Sequence, residues 1–214
     1  MPDEPTATGT IVVSGTGRVA VQPDVGDLRL GVTVAKPTVE AARGEAAATM
    51  EAILRAVDGA GIARADVRTV MLSVQPRYDY RDGRSPVLTG YEVANLVEIS
   101  VRDLAVLGDV IDATLAAGAT SMDALTFRLA DPASAEREAR RQAMGEARSR
   151  ADVLAEAAGL TIEGVIDIIE GQPVRPPVPV AKVERMALAT DAPTPVEAGM
   201  LEIAVTVSVT YRAR

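Results

Sequence analysis

The groups available for chemistry are carboxylates, guanidiniums, two lysines, hydroxyls, four tyrosines and the backbone. The 214-residue chain has no Cys, no His and no Trp, and a single Phe. Those absences exclude disulfides, a thiolate nucleophile, Ser-His-Asp machinery, and the zinc, copper and haem sites built on His or Cys. Carboxylates are plentiful, and glycosidase-type chemistry needs only two of them close together, but no spacing singles out a pair. The residues therefore predict no catalytic group, no metal and no cofactor.

Four motifs are weighed individually. Gly15-Thr16-Gly17-Arg18-Val19-Ala20 matches G-x-G-x-x-A. A dinucleotide site would need a helix N-terminus there, whose free N–H groups bind pyrophosphate. The turn residues Pro23-Asp24 and an alternating strand follow instead, so Gly15 and Gly17 read as places where a strand bends or bulges. Asp79, Asp82 and Gly83 lack the spacing of a calcium loop and are flanked by Arg77, Arg81 and Arg84, which would repel a cation. Tyr78 to Arg84 reads instead as a solvated hairpin tip. The arginines between Arg137 and Arg150 are matched by as many carboxylates, with Glu136–Arg140 and Glu146–Arg150 in the favourable i,i+4 order, so a solvated helix face is predicted. Asn95 falls among Tyr91, Val93 and Val97 on the apolar face of its strand. A buried amide needs partners, so Tyr91 and Asn95 mark either a structural polar site or a ligand-facing one.

The elements that would position these residues follow from periodicity. Ile11 to Val21 reads as extended, and Leu28, Leu30, Val32 and Val34 alternate as in a half-buried strand. Thr38 caps a helix with Val39, Ala42, Ala46, Met50, Ile53, Leu54 and Val57 on one face. Strands follow at Val70–Val74 and Tyr91–Val101, joined by the hairpin. Asp103 starts a second helix ending at Gly118, and Leu125 to Leu129 makes another strand. Strand, helix, strand, strand, helix, strand is the split βαβ order, which predicts an α+β fold whose antiparallel sheet carries its helices on one face.

A longer helix then begins at Asp131-Pro132 and runs to Gly159. Ala135, Ala139, Ala143, Ala147, Ala151 and Ala155 form a small-residue stripe along it, which lets another backbone approach closely. Val165 to Ile169 is a short strand, and Gln172 to Pro179, with four prolines, is an extended arm or edge. Leu201 to Tyr211 is the most regular alternating strand. The predicted organisation is a flexible tail over 1–9 and a single domain over 10–212, with its ferredoxin-like part at about 25–130 and the helix plus C-terminal strands at about 131–212.

The formal charge of −8 argues against nucleic-acid partners. No window is long and apolar enough for a membrane span. The first residues lack the basic and apolar regions of an export signal. The expected location is cytoplasmic as the chain stands, or periplasmic if a signal has been removed.

The ordered motifs together resemble the SIMPL-domain family, which includes bacterial periplasmic immunogenic proteins and an oxidative-stress-defence protein. The resemblance is carried by Val13-Ser14-Gly15-Thr16-Gly17-Arg18-Val19 and by Pro23-Asp24 leading into Leu28–Val34. Gly90-Tyr91 with Asn95 running into Val101-Arg102-Asp103-Leu104 is a third segment. Leu154-Ala155-Glu156-Ala157-Ala158-Gly159 and the closing strand complete it. It implies an α+β fold, large closed rings in at least some members, and no catalytic residues to carry over. An oxidative-stress link is implied only as a phenotype. The expectation is a non-enzymatic protein that forms homo-oligomers, with two alternatives: a small-molecule binding protein or enzyme with a pocket near Tyr91 and Asn95, or an adaptor using the Tyr78–Arg84 tip.

Overall fold

The computed structural model describes residues 9–80, 85–171 and 194–214. In chain order the elements are β1 (Gly9–Val21), β2 (Val25–Lys36), α1 (Val39–Gly59), β3 (Val67–Asp79), β4 (Val87–Val101), α2 (Leu107–Ala116), β5 (Ser121–Arg128), α3 (Ala133–Ala158), β6 (Ile162–Glu170) and β7 (Leu201–Ala213). They form an α+β protein with two antiparallel sheets, each in its own compact unit. Of the tail expected over 1–9, Gly9 is instead the first residue of β1, paired with Ala213. Residues 1–8 lie outside the described residues, as do Arg81 to Arg84 of the expected hairpin tip and the expected proline-rich arm from Gln172 to Pro179.

One unit holds β2 to β5 with α1 and α2. Its strand order, β3-β4-β2-β5, is that of a ferredoxin-like sheet. Leu28, Leu30, Val32 and Val34 meet Val93, Val97, Ile99 and Val101 on the face that also receives Ala42, Ala46, Met50, Ile53 and Val57 of α1. The Thr38 side chain accepts from the Ala41 N–H at the start of α1, and Asp103 accepts from the Ala105 N–H ahead of α2. Both caps satisfy donors that a helix start leaves free. Thr194 is tied back to α2, its N–H and hydroxyl both donating to Asp112.

The other unit packs α3 on the three-stranded sheet β1-β7-β6. β1 and β7 pair along their whole length, from Gly9 with Ala213 to Val21 with Leu201, without a register shift. The core between helix and sheet combines Ile11, Val13, Val205, Val207, Val209 and Tyr211 with the alanine stripe of α3. Asp131 accepts from the Ala133 N–H, Pro132 stands at the cap position, and Gly159 closes α3 in a left-handed conformation.

Gly15 and Gly17 are not at a bulge, because the β1–β7 ladder is continuous through them. Their role is close approach. A Cβ at Gly15 would fall closer than 3.0 Å to backbone atoms of Ala143 and Ala147, and one at Gly17 would do the same against Ala139 and Ala143. Two glycines in the strand and a stripe of alanines in the helix thus let the backbones nearly touch. Helix-to-strand packing of this kind leaves no room for larger side chains.

Candidate functional site

Tyr91 and Asn95 lie four positions apart on β4, about 13 Å along a strand. Tyr91 lines a small cavity of about 140 Å³ with Lys36, Arg77, Thr89 and Gly90, and Asn95 is not among its lining residues. The Lys36 ammonium already pairs with Glu45 at 2.5 Å. Asn95 sits in register with Val32 of β2 and Leu72 of β3. Its Oδ1 is buried and accepts no hydrogen bond among the described residues.

Pro23 is buried, and the Asp24 N–H donates to the Arg128 carbonyl, which fixes the entry into β2 against the end of β5. At the hairpin, Tyr78 and Tyr80 pack ring to ring at 6.3 Å and both are exposed. The rest of that tip, Arg81 to Arg84, is outside the described residues.

Periodicity reveals the apolar side of the ferredoxin-like sheet and passes over the polar side chains that alternate with it. Arg29, Glu98 and Arg68 stand side by side across β2, β4 and β3, and Glu98 accepts from both guanidiniums. One step along, Asp27 accepts from Ser100 at 2.6 Å and from Arg128 Nε at 2.6 Å. Arg102 donates to both oxygens of Asp66. Burial pushes the Asp27 carboxyl up, but hydrogen bonds from Arg128 and Ser100 and the nearby Arg128 and Arg68 charges outweigh it and hold the group below the ordinary aspartate value. Asp66 is held below that value chiefly by the Arg102 hydrogen bond. Asp27 and Asp66 are thus stabilised as anions, the opposite of what a general acid at neutral pH requires. The arrangement is a structural ion network.

The charges of α3 also pair with one another. Arg140 reaches Glu136 and Glu170, Arg141 reaches Glu138, Arg148 reaches Asp152, and Arg150 reaches Glu146. Three residues spaced four apart on this helix do more. The Gln142 side chain accepts from the Arg18 N–H, Glu146 accepts from the Thr16 N–H, and Arg150 donates to the Ser14 carbonyl at 2.7 Å. They close the outer backbone edge of β1. Beside them an open groove of about 430 Å³ is lined by Val13, Ser14, Ser149, Arg150, Val153 and Leu154. In the other unit a groove of about 160 Å³ lies along α1 and is lined by Met50, Leu54, Val57, Val67, Thr69 and Val97, among others. No group of side chains among the described residues has the make-up of a metal site. No described helix is long and apolar enough to cross a membrane.

A ferredoxin-like sheet in one unit and a helix-backed sheet in the other, formed by β1, β7 and β6, define an α+β protein. The family model named SIMPL, described as a protein of unknown function (DUF541), matches residues 11–211, and the chain belongs to that family. It is 30% identical over 216 aligned positions to the 26 kDa periplasmic immunogenic protein of Brucella melitensis biotype 1, covering 98% of this chain and 86% of the relative. The protein of the same name from Brucella abortus strain S19 matches equally well. It is also 32% identical over 155 positions to the uncharacterized protein YggE of Escherichia coli K12, covering 72% of this chain and 61% of the relative.

Proposed function

We propose that the chain is a non-enzymatic SIMPL protein whose function is to self-assemble into a symmetric oligomer, with a closed ring as its form. The observation that supports this reading is an inversion of apolar size. The buried face of α3 is entirely alanine, while Val153 and Leu154 of the same helix are 63% and 50% exposed. In β6, Val165, Ile166, Ile168 and Ile169 are all about half exposed or more. Leaving the larger aliphatic groups in water forgoes roughly 25 cal/mol per Å². Exposed apolar side chains grouped in this way, beside β1 on α3 and along β6, suit interaction sites. Light scattering on the purified protein tests the reading: a mass several times the 22.3 kDa chain is expected, and a clean monomer at micromolar concentration would overturn it.

The name of the Brucella relative supports a periplasmic location over a cytoplasmic one. A role in oxidative-stress defence would not run through a thiol or imidazole, because the chain has no Cys or His.

The second reading, a small-molecule site, is favoured by the cavity at Tyr91, whose Lys36, Arg77 and Thr89 suit a small anion. Titration with inorganic phosphate, followed by the Tyr91 ring signals, tests it; no shift at millimolar phosphate removes it.

A further inference from the structure

The two sheets have four edge strands, β1 and β6 in one and β3 and β5 in the other. Unpaired strand edges are templates for pairing with another chain, and proteins usually blunt them. β1 is blunted by Gln142, Glu146 and Arg150, which occupy its outer backbone groups. β5 is short, and its one strongly exposed large apolar side chain is Met122. The remaining two edges carry register irregularities, β6 against β7 and β3 against β4, with Pro76 also in β3, yet both leave apolar side chains in water. In β6 the neighbours Ile168 and Ile169 are 50% and 60% exposed, so both faces of the strand are uncovered. In β3 the neighbours Met71 and Leu72 are 44% and 68% exposed, because α1 packs chiefly on β2 and β4 and approaches β3 only near Val67 and Thr69. Among the described residues no side chain closes the outer edge of β6.

Charge distinguishes the two open edges. β6 carries Glu163, Asp167 and Glu170 and no basic residue. β3 carries Arg68 and Arg77 against Asp79 alone. Glu170 already reaches Arg140, and Arg68 already reaches Glu98. Glu163, Asp167 and Arg77 carry no ion pair within the described chain. Pairing β6 with β6 would set like charges opposite one another, which is destabilising, whereas β6 against β3 sets opposite charges together.

We infer that copies of this chain join head to tail, the β6 edge of one copy pairing with the β3 edge of the next. The inference rests on the self-assembly reading above and names its interface. Two different patches in contact make a heterologous interface, which gives a ring when the rotation closes. The stretches without a register irregularity, Asp167–Glu170 of β6 and Met71–Arg77 of β3, allow a regular ladder about 13 Å long that contains Ile169 and Leu72.

Leu72→Lys and Ile169→Lys test it in the full chain. Both positions are well exposed in the single chain, so each variant keeps the wild-type secondary structure, and its melting temperature falls only by what assembly contributes. Each alone is expected to lose every species above the monomer, because every interface needs one β3 and one β6. Mixed in equal amounts, the two variants are expected to give a dimer of twice the chain mass and nothing larger, since one copy supplies the intact β6 and the other the intact β3. Asp167→Arg, which changes charge alone, is expected to weaken assembly in a salt-dependent way. If the wild type assembles but either lysine variant keeps the wild-type mass, or the mixture stays monomeric, the interface is wrong and self-assembly stands. If the wild type is itself a monomer, self-assembly falls and the interface falls with it.

Discussion

Gly17 and Ala139 face each other so closely that a Cβ on the glycine would fall closer than 3.0 Å to the Ala139 backbone. The clash would be with helix backbone, which cannot swing aside as a long side chain can. Gly17→Ala is therefore expected to destabilise the unit by about 3 kcal/mol, the upper end of the usual overpacking range. Gly145 is the control. It lies on the exposed side of α3, and an added methyl there meets nothing within 4 Å. Gly145→Ala is expected to stabilise by about 0.5–1 kcal/mol through helix propensity. Urea midpoints of the two variants should move in opposite directions; a shared direction would remove the close-approach argument.

Glu146 holds two partners, the Thr16 N–H at the β1 edge and the Arg150 guanidinium. Glu146→Ala leaves a strand donor without an acceptor and frees Arg150. The expected loss is about 1–2 kcal/mol, the lower part of the range for a donor left unsatisfied, because the Glu146 side chain is partly open to water. It also reopens an edge that α3 had closed, so larger scattering species are expected beyond the wild-type assembly. Glu146→Gln keeps an acceptor for Thr16 and should recover most of both effects. An unchanged urea midpoint and unchanged scattering in the alanine variant would show that the cap is incidental.

The ferredoxin-like half was legible because its signals are local. Thr38, the Ala42–Val57 face and the alternation from Leu28 to Val34 each report on residues a few positions away, and the element order then restricts the topology. The second sheet was not legible in the same way. Period-2 alternation identifies Leu201–Tyr211 as a strand but carries no information about its partner, and that partner begins at Gly9. The same gap explains Gly15 and Gly17. Their spacing marks a special backbone position, but whether a bulge or a helix makes it special depends on Ala139 and Ala143, more than 120 residues away. Glu146 and Arg150 are readable as a helical pair. Their reach to β1 is visible only once α3 is laid on the sheet. Tyr91 and Asn95 share a strand, and the fold gives the cavity to one of them alone.

Asp27 sets an acid limit on the ferredoxin-like unit. Its carboxyl titrates below the ordinary aspartate value despite partial burial, through Arg128 and Ser100. A depressed native pKa contributes stability that is fully present above the unfolded value near pH 4 and is lost as pH falls through the lower native value. Asp66 acts in the same direction through Arg102. Asp27→Asn is expected to cost about 1 kcal/mol or less at neutral pH, since the ion pair is open to water. The clearer signature is the slope: below about pH 4 the variant should lose stability less steeply than the wild type. Equal slopes in acid unfolding curves would mean that the Asp27 network carries no linkage.

Asn95 and Ser121 are the two polar side chains among the described residues whose buried oxygens have no hydrogen-bond partner. Asn95 stands in register between Val32 and Leu72, and its buried Oδ1 accepts nothing among the described residues. A buried acceptor without a donor costs about 1–3 kcal/mol, whereas an apolar side chain of similar shape carries no such penalty. Asn95→Leu fills nearly the same volume and is expected to raise the urea midpoint, by about 1 kcal/mol in stability. Asn95→Ala removes the orphan acceptor but opens a space beside Val32, so it should fall below the leucine variant. That ordering, leucine above asparagine and leucine above alanine, separates an uncompensated amide from a bonded one. If Asn95→Leu instead lost more than about 1 kcal/mol, the amide would have to be making hydrogen bonds that hold the strand.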